Sequence, residues 1–293
     1  MIHIPVLAKE VLHWLDPKAN QDFIDGTLGL GGHAALILER TAPNGRLLAF
    51  DKDIKNLNEA KENLSRFGDR VVYVHDSYVT LKEAAYAHGF TAVNGILLDL
   101  GFSSHHIEDA ARGFSFQNAG PLDMRYDKRQ KLTAEIIVNT WTPDELASIF
   151  RRYGEERHAH KIAMRILEER RKARIQTTDH LADIITQTVP RAFKGPKIHP
   201  ATRVFQALRI AVNDELGELE ATLPQTLDVL APGGRLAVIS FHSLEDRPVK
   251  QFMKSHAGSE LTLMAKKPII ATAEEIKINP RSRSAKLRVA ERL

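Results

Sequence analysis

The chain contains no cysteine. That removes a disulfide framework and any thiolate zinc site, and it is compatible with a reducing cytosol. No apolar run approaches the roughly 18 residues of a membrane span, and the first residues carry Lys9, Glu10 and His13 among their apolar ones. Secretion and membrane spanning are therefore not expected, and a cytoplasmic location is. No internal repeat or low-complexity tract is present. The nucleophile elbow Gly-x-Ser-x-Gly is absent around Ser240-Phe-His-Ser243, so serine hydrolase chemistry has no support there. Thirteen histidines occur, yet His105-His106 and His158-x-His160 lack a companion carboxylate or thiolate set at known ligand spacing. No metal is expected.

What is present is organised around Asp25-Gly-Thr-Leu-Gly-Leu-Gly-Gly-His33. Phe23 and Ile24 read as the end of a buried strand, the glycine run as a tight turn, and residues 34–40 as the first turns of a helix. Glycine suits a turn needing positive φ and a backbone that a ligand approaches closely. Two nucleoside cofactors fit. Gly29-x-Gly31-x-x-Ala34, with Asp51 about 20 residues on, satisfies the dinucleotide pattern and keeps NAD open. S-adenosylmethionine would use the same acidic residue for its ribose. Asp25 leans toward that methyl donor, since a carboxylate attracts its cationic end but repels a pyrophosphate.

After the loop, apolar runs at 46–50, 71–74 and 95–100 alternate with helical patterns at 54–67 and 81–88. A further strand at 235–240 follows the turn Ala231-Pro-Gly-Gly234, and β-like runs recur at 261–265 and 286–291. Strands without polar alternation, separated by amphipathic helices, predict a doubly wound α/β sheet that is parallel and buried on both faces. About 130 residues separate the fourth and fifth strands, far more than a crossover needs. Their middle has only helical signals, among them the capping box Thr142-Pro-Asp-Glu145. Residues 131–196 are therefore expected to form a helical insert for substrate recognition within a sheet domain of 1–130 and 197–293. Phe193-Lys-Gly-Pro-Lys197 is its expected return hinge.

Net charge is only +4, but it is unevenly spread. Residues 151–174 hold nine basic side chains against four acidic, and residues 266–293 hold eight against three. The first run also fits a solvated helix face laced with i,i+4 pairs. Asn279-Pro-Arg-Ser-Arg-Ser-Ala-Lys-Leu-Arg288 reads as an extended segment suited to phosphate contacts, with a nucleic acid as the polyanion.

The fourth strand ends in Asp99-Leu-Gly-Phe-Ser-Ser104, at the edge where an open α/β sheet binds ligands. Methylating an exocyclic amine needs an acceptor for its N–H and a surface for the base. Asp99, or a hydroxyl of Ser103 or Ser104, supplies the first and Phe102 the second. Helix capping for the serines and core packing for Phe102 are the competing readings.

The chain resembles the MraW-type methyltransferase family over nearly its full length. The resemblance rests on His3-Ile-Pro-Val-Leu7 with Glu10-Val-Leu12, Asp25-Gly-Thr-Leu-Gly-Leu-Gly-Gly-His33, Asp51-Lys-Asp53, Asp99-Leu-Gly-Phe-Ser-Ser104, Arg112-Gly-Phe-Ser-Phe116, Gly120-Pro-Leu-Asp-Met-Arg125, Tyr153-Gly-Glu-Glu-Arg157, His199-Pro-Ala-Thr-Arg-Val-Phe-Gln-Ala-Leu-Arg209, Ser240-Phe-His-Ser-Leu-Glu-Asp246 and Asn279-Pro-Arg-Ser-Arg-Ser284. It implies a class I methyltransferase fold and S-adenosylmethionine-dependent methylation of a cytidine N4 in 16S ribosomal RNA, with the RNA held in the small subunit. Another nucleic-acid amine, or RNA binding without catalysis, is the alternative, and a homodimer is left open. The resemblance also implies donor contacts from Gly31, Gly32, His33, Asp51, Tyr78, Asp99 and His106. Tyr78 stands where the family more often has phenylalanine, His106 where it has glutamine, and Phe102 where it has a small aliphatic residue. Asp99, Ser103 and Phe102 are the expected catalytic residues.

Overall fold

The computed structural model describes residues 5–189 and 199–293. They form two compact units: the stretch ending at Phe102 together with Leu216–Leu293, and Ser103–Glu215. In chain order the first unit contributes α1 (Ala8–Leu15), β1 (Phe23–Asp25), α2 (Gly32–Arg40), β2 (Leu47–Phe50), α3 (Ile54–Asn63), β3 (Val71–Val74), α4 (Leu81–Ala87) and β4 (Val93–Asp99). The second contributes α5 (Ser104–Glu108), α6 (Ala134–Thr140), α7 (Pro143–Arg152), α8 (Ala159–Lys172), α9 (Thr178–Thr188) and α10 (Thr202–Asn213). The chain continues with α11 (Glu215–Val229), β5 (Leu230–Ser240), α12 (Ser243–Ser255), β6 (Leu261–Leu263), β7 (Ile269–Ile270), α13 (Ala273–Ile278) and β8 (Lys286–Arg292).

The strands form one sheet in the order β3-β2-β1-β4-β5-β8-β6, with β7 also on β8. Strands β1 to β5 pair in parallel, and β8 runs antiparallel to β5. The order reverses between β1 and β4, so the carboxyl ends of those two strands border the ligand crevice of a doubly wound sheet. Alternate residues serve opposite layers. Phe23, Leu47 and Ala49 pack with Val11, Leu15, Ile37 and Leu57, while Ile24, Leu48 and Phe50 pack with Leu81, Leu219, Leu223 and Val249. Both faces are covered, which is why these strands read as unbroken apolar runs.

One strand is longer than its sequence pattern. Ala231-Pro-Gly-Gly234, expected as a turn ahead of the fifth strand, lies within β5: Leu230 pairs with Val93 and Arg235 with Gly95, a two-against-five register shift. Pro232 cannot donate to the ladder and Gly233 sits at φ 78°, so the extra residues loop out as a bulge.

The helical unit is larger than expected. Its core joins Leu146, Phe150, Ile162, Ile166, Leu181 and Ile185 to Leu122 and Met124 ahead of α6 and to Val204, Phe205 and Leu208 of α10. The boundaries expected at 130/131 and 196/197 therefore shift to 102/103 and 215/216. The flank ahead of α6 lacks a continuous helical period and that of α10 has one, yet both supply side chains that close the same core. The hinge expected at 193–197 lies outside the described residues. The capping box is formed: Thr142 N–H donates to Glu145 Oε2 at 2.7 Å and Glu145 N–H to Thr142 Oγ1 at 3.3 Å.

Within this unit Arg209 donates to both carboxylate oxygens of Glu215 at 2.8 and 2.9 Å, with both side chains nearly buried. Removing one partner of such a pair strands the other charge. Arg209→Leu is expected to cost about 3 kcal/mol, read as a lower urea midpoint at unchanged m-value. Among the described residues no helix is long and apolar enough to cross a membrane.

Candidate active site

The turn after β1 is fixed by backbone conformation. Gly31 caps α2 at φ 83°, and a Cβ there would sit 3.0 Å from Leu64. Only glycine holds this left-handed position without strain. The amides of Gly32 and His33 follow as the first of α2, where helical N–H groups lack intrahelical partners. His33 is buried, with Nε2 3.7 Å from Asp99 Oδ2.

Three carboxylates lie at the carboxyl ends of neighbouring strands: Asp25 on β1, Asp99 on β4, and Asp51 just after β2. Asp25 Oδ1 accepts the Thr27 amide at 3.0 Å, and Thr27 Oγ1 in turn accepts the Asp99 amide at 2.6 Å. Asp51 accepts from the amides of Gly29 at 2.9 Å and Asp53 at 2.7 Å. Burial pushes the Asp25 and Asp51 carboxyls up to about 7 against their amide hydrogen bonds. Asp99 is raised well above its ordinary value by burial, then by the negative charges of Asp25 and Glu245. Its Oδ1 is buried without a hydrogen-bond partner.

Such a set of desolvated acids is ready for hydroxyl donors and for a cation, and it disfavours the pyrophosphate of a dinucleotide. The residues therefore fit S-adenosylmethionine, which pairs a ribose diol with a sulfonium and an ammonium group.

Tyr78 is half-buried in the short turn after β3, and its carbonyl accepts the Thr222 hydroxyl at 3.2 Å. Phe102 is 40% exposed beyond the end of β4, which counts against core packing. Gly31, Gly32, His33, Asp51, Tyr78, Asp99 and Phe102 thus all belong to the sheet unit. Ser103 and His106 belong to the helical unit. There His106 is buried, its Nδ1 accepting the Ser103 amide at 3.1 Å and lying 3.2 Å from Ser103 Oγ. The rings of Phe114 and Tyr126 flank it at 4.9 and 5.0 Å.

Two participants escaped the sequence reading. Thr27, inside the glycine loop, ties Asp25 to Asp99. Glu245, inside Ser240-Phe-His-Ser-Leu-Glu-Asp246, is buried and accepts the Phe241 amide at 2.8 Å, caps α12 and raises Asp99. That string carries part of the family resemblance, but nothing in the order of its residues announces a carboxylate turned inward at a helix start.

The basic segments contain cations held in ion pairs and cations that are exposed. Arg288 makes a two-point contact with Asp246 at 2.6 and 3.1 Å, and Arg292 lies 3.8 Å from Glu260. Neither is available for phosphate. Residues Pro280–Ser284 form a short 3-10 turn instead of the extended segment expected, leaving Arg281 and Arg283 exposed.

A parallel sheet reversing at β1/β4, an antiparallel β8 against β5, a glycine turn after β1 and an acid after β2 define a class I S-adenosylmethionine-dependent methyltransferase. Two solved structures share this fold over the full length of both chains: a Clostridium thermocellum protein described as an rRNA-methylase candidate (TM-score 0.51, 11% identity) and a Streptococcus mutans protein in complex with SAH (TM-score 0.50, 13% identity). The chain belongs to the MraW methylase family, whose model matches residues 1–293. It is similar to the ribosomal RNA small subunit methyltransferase H of Trichormus variabilis, at 49% identity over 290 residues, covering 99% of this chain and 92% of that one. It is also similar to the enzyme of that name from Thermomicrobium roseum, at 47% identity over 307 aligned residues, covering 99% and 94%.

Proposed function

We propose that this enzyme methylates the N4 exocyclic amine of a cytidine in 16S ribosomal RNA, held in the small ribosomal subunit, which sets its work in the cytoplasm. The observation that carries the reading is Asp99: a half-buried carboxyl group at the crevice, with a buried Oδ1 that lacks a hydrogen-bond partner and the exposed ring of Phe102 three residues on. S-adenosylmethionine supplies an electrophilic methyl group. Gly31, Gly32 and His33 hold the donor along the glycine turn, Asp51 its ribose, Tyr78 its adenine, and Asp99 and His106 complete the contacts. Asp99 also accepts the amine N–H and orients the nitrogen lone pair. Phe102 stacks on the base, and Ser103, steadied by His106, is the second polar group for the amine. The helical unit and the exposed cations around Pro280–Ser284 grip the RNA backbone.

The test is transfer of labelled methyl to small subunits and to naked RNA from cells lacking the enzyme, with nucleoside analysis. Labelled N4-methylcytidine is expected; another methylated nucleoside moves the site of reaction, and no label with donor binding intact leaves an RNA-binding protein.

Donor affinity should depend on pH through Asp51. A ribose hydroxyl donates to the carboxylate form, and a group at about 7 is roughly one-tenth ionised at pH 6 and nine-tenths at pH 8. Asp51 alone is therefore expected to contribute a rise in affinity of about tenfold from pH 6 to 8, to which Asp25, also at about 7, adds in the wild type. Calorimetric titration should find that part of the slope missing in Asp51→Asn.

A further inference from the structure

Of the cations between Arg151 and Arg174, four are engaged. Arg165 pairs with Glu168 and Glu169, Lys172 with Glu169 and Arg174 with Glu135, while Arg170 donates to the carbonyls of Val138 and Trp141. Lys161 and Arg171 are exposed and have no ion pair among the described residues. The solvated-face reading accounts for the first set and leaves the second.

Lys161 lies on a built feature. A groove of about 450 Å³ runs between α8 and α9, lined by Lys161, Met164, Arg165, Glu168, Gln187 and Thr188. The α8 residues recur at i, i+3, i+4 and i+7, so they form one face about 10 Å long. Met164 is 39% exposed in it. Glu168 is neutralised by Arg165 at 3.1 Å, which leaves Lys161 as the uncompensated charge.

We propose that this groove seats one nucleotide of the RNA strand outside the methylated position, with its phosphate on Lys161 and its base on the Met164 thioether. The volume suits one nucleotide. A cation beside an exposed, polarisable apolar side chain is what single-stranded RNA uses, a phosphate contact next to a stacking surface. Gln187 offers an amide to a base edge or a 2′-hydroxyl. A protein partner fits less well, because charged residues are depleted where protein interfaces are fully buried. The proposal rests on the reading of the enzyme as an RNA methyltransferase.

The test uses the full chain with naked small-subunit RNA. Lys161→Glu and Met164→Glu, made separately, are expected to raise KM for RNA at least about tenfold while the Kd for S-adenosylmethionine stays within about twofold. Lys161→Glu should also reduce the slope of log affinity against log salt by about 1. Lys161→Arg should restore both, and the charge swap Lys254→Glu at an exposed position of α12 should change KM less than about twofold. Unchanged KM and salt slope in both groove variants overturn the proposal. So does a loss seen only on assembled subunits with naked-RNA binding intact, which assigns the groove to a protein. If the wild type methylates no small-subunit RNA, the functional reading fails by itself. Cross-linking of 4-thiouridine-substituted RNA then decides the groove: adducts on α8 or α9 support it, and adducts confined to other elements overturn it.

Discussion

Asp99→Asn is expected to lower kcat for methyl transfer on the order of 10³-fold, in single-turnover assays with saturating RNA and donor. Asparagine preserves shape, and the Asp99 amide keeps its bond to Thr27 Oγ1, so the strand end is undisturbed. What changes is the side-chain terminus. With the positive charge of the bound donor favouring its ionised form against burial, Asp99 is a carboxylate that offers only acceptors, whereas an amide can turn two N–H donors toward an amine that is itself a donor. The lone pair to be aimed at the methyl group is then no longer held in place. Donor affinity should fall much less, because the glycine turn and Asp51 remain. Turnover within a few-fold of wild type would remove Asp99 from the mechanism.

The second large effect is on stability. Gly113 sits at φ 73°, and a Cβ there would come within 2.0 Å of the Pro121 carbonyl oxygen and 2.8 Å of the Asp123 amide. Backbone cannot yield as a flexible side chain does. Gly113→Ala is therefore expected to destabilise the helical unit by about 4 kcal/mol or more, the left-handed strain adding to the overlap. The contrast is Gly89, at φ 76° with nothing within 4 Å of its Cβ. Gly89→Ala should cost only about 1 kcal/mol. Urea unfolding of the two variants separates conformational strain from collision; equal losses would show that the collision relaxes.

Gly113 also illustrates what could be read in advance. The string Arg112-Gly-Phe-Ser-Phe116 stood out as a family resemblance, but not as a packing constraint, because the carbonyl it meets is eight residues away on a segment with no periodic pattern. The parallel strands were legible because burial on both faces writes a continuous apolar run. The loop was legible because positive φ selects glycine. Asp99 and Asp51 stood out because strand ends in such a sheet are where chemistry gathers. The extent of the helical unit was not, since Leu122 and Met124 reach its core from a segment without a helical stripe, and the stripe of α10 does not say which unit it packs against. The pairing of Arg288 with Asp246 was equally hidden: charge counts along a chain do not say which cations are already spent on a carboxylate 42 residues away.

The interrupted sheet has a consequence for synthesis. β1 to β4 emerge from the ribosome together, but β5, the neighbour that covers the outer edge of β4, follows only after the whole of residues 103–215. At roughly 5–20 residues per second, that leaves β4, with its apolar Ile96-Leu-Leu98, with a bare edge for on the order of ten seconds. A half-sheet in that state is a template for strand addition by another nascent chain. Chaperone dependence should therefore be concentrated in that interval, and a circular permutant joining the present termini and opening the chain within the helical unit would shorten it by bringing β5 and β8 out ahead of β1.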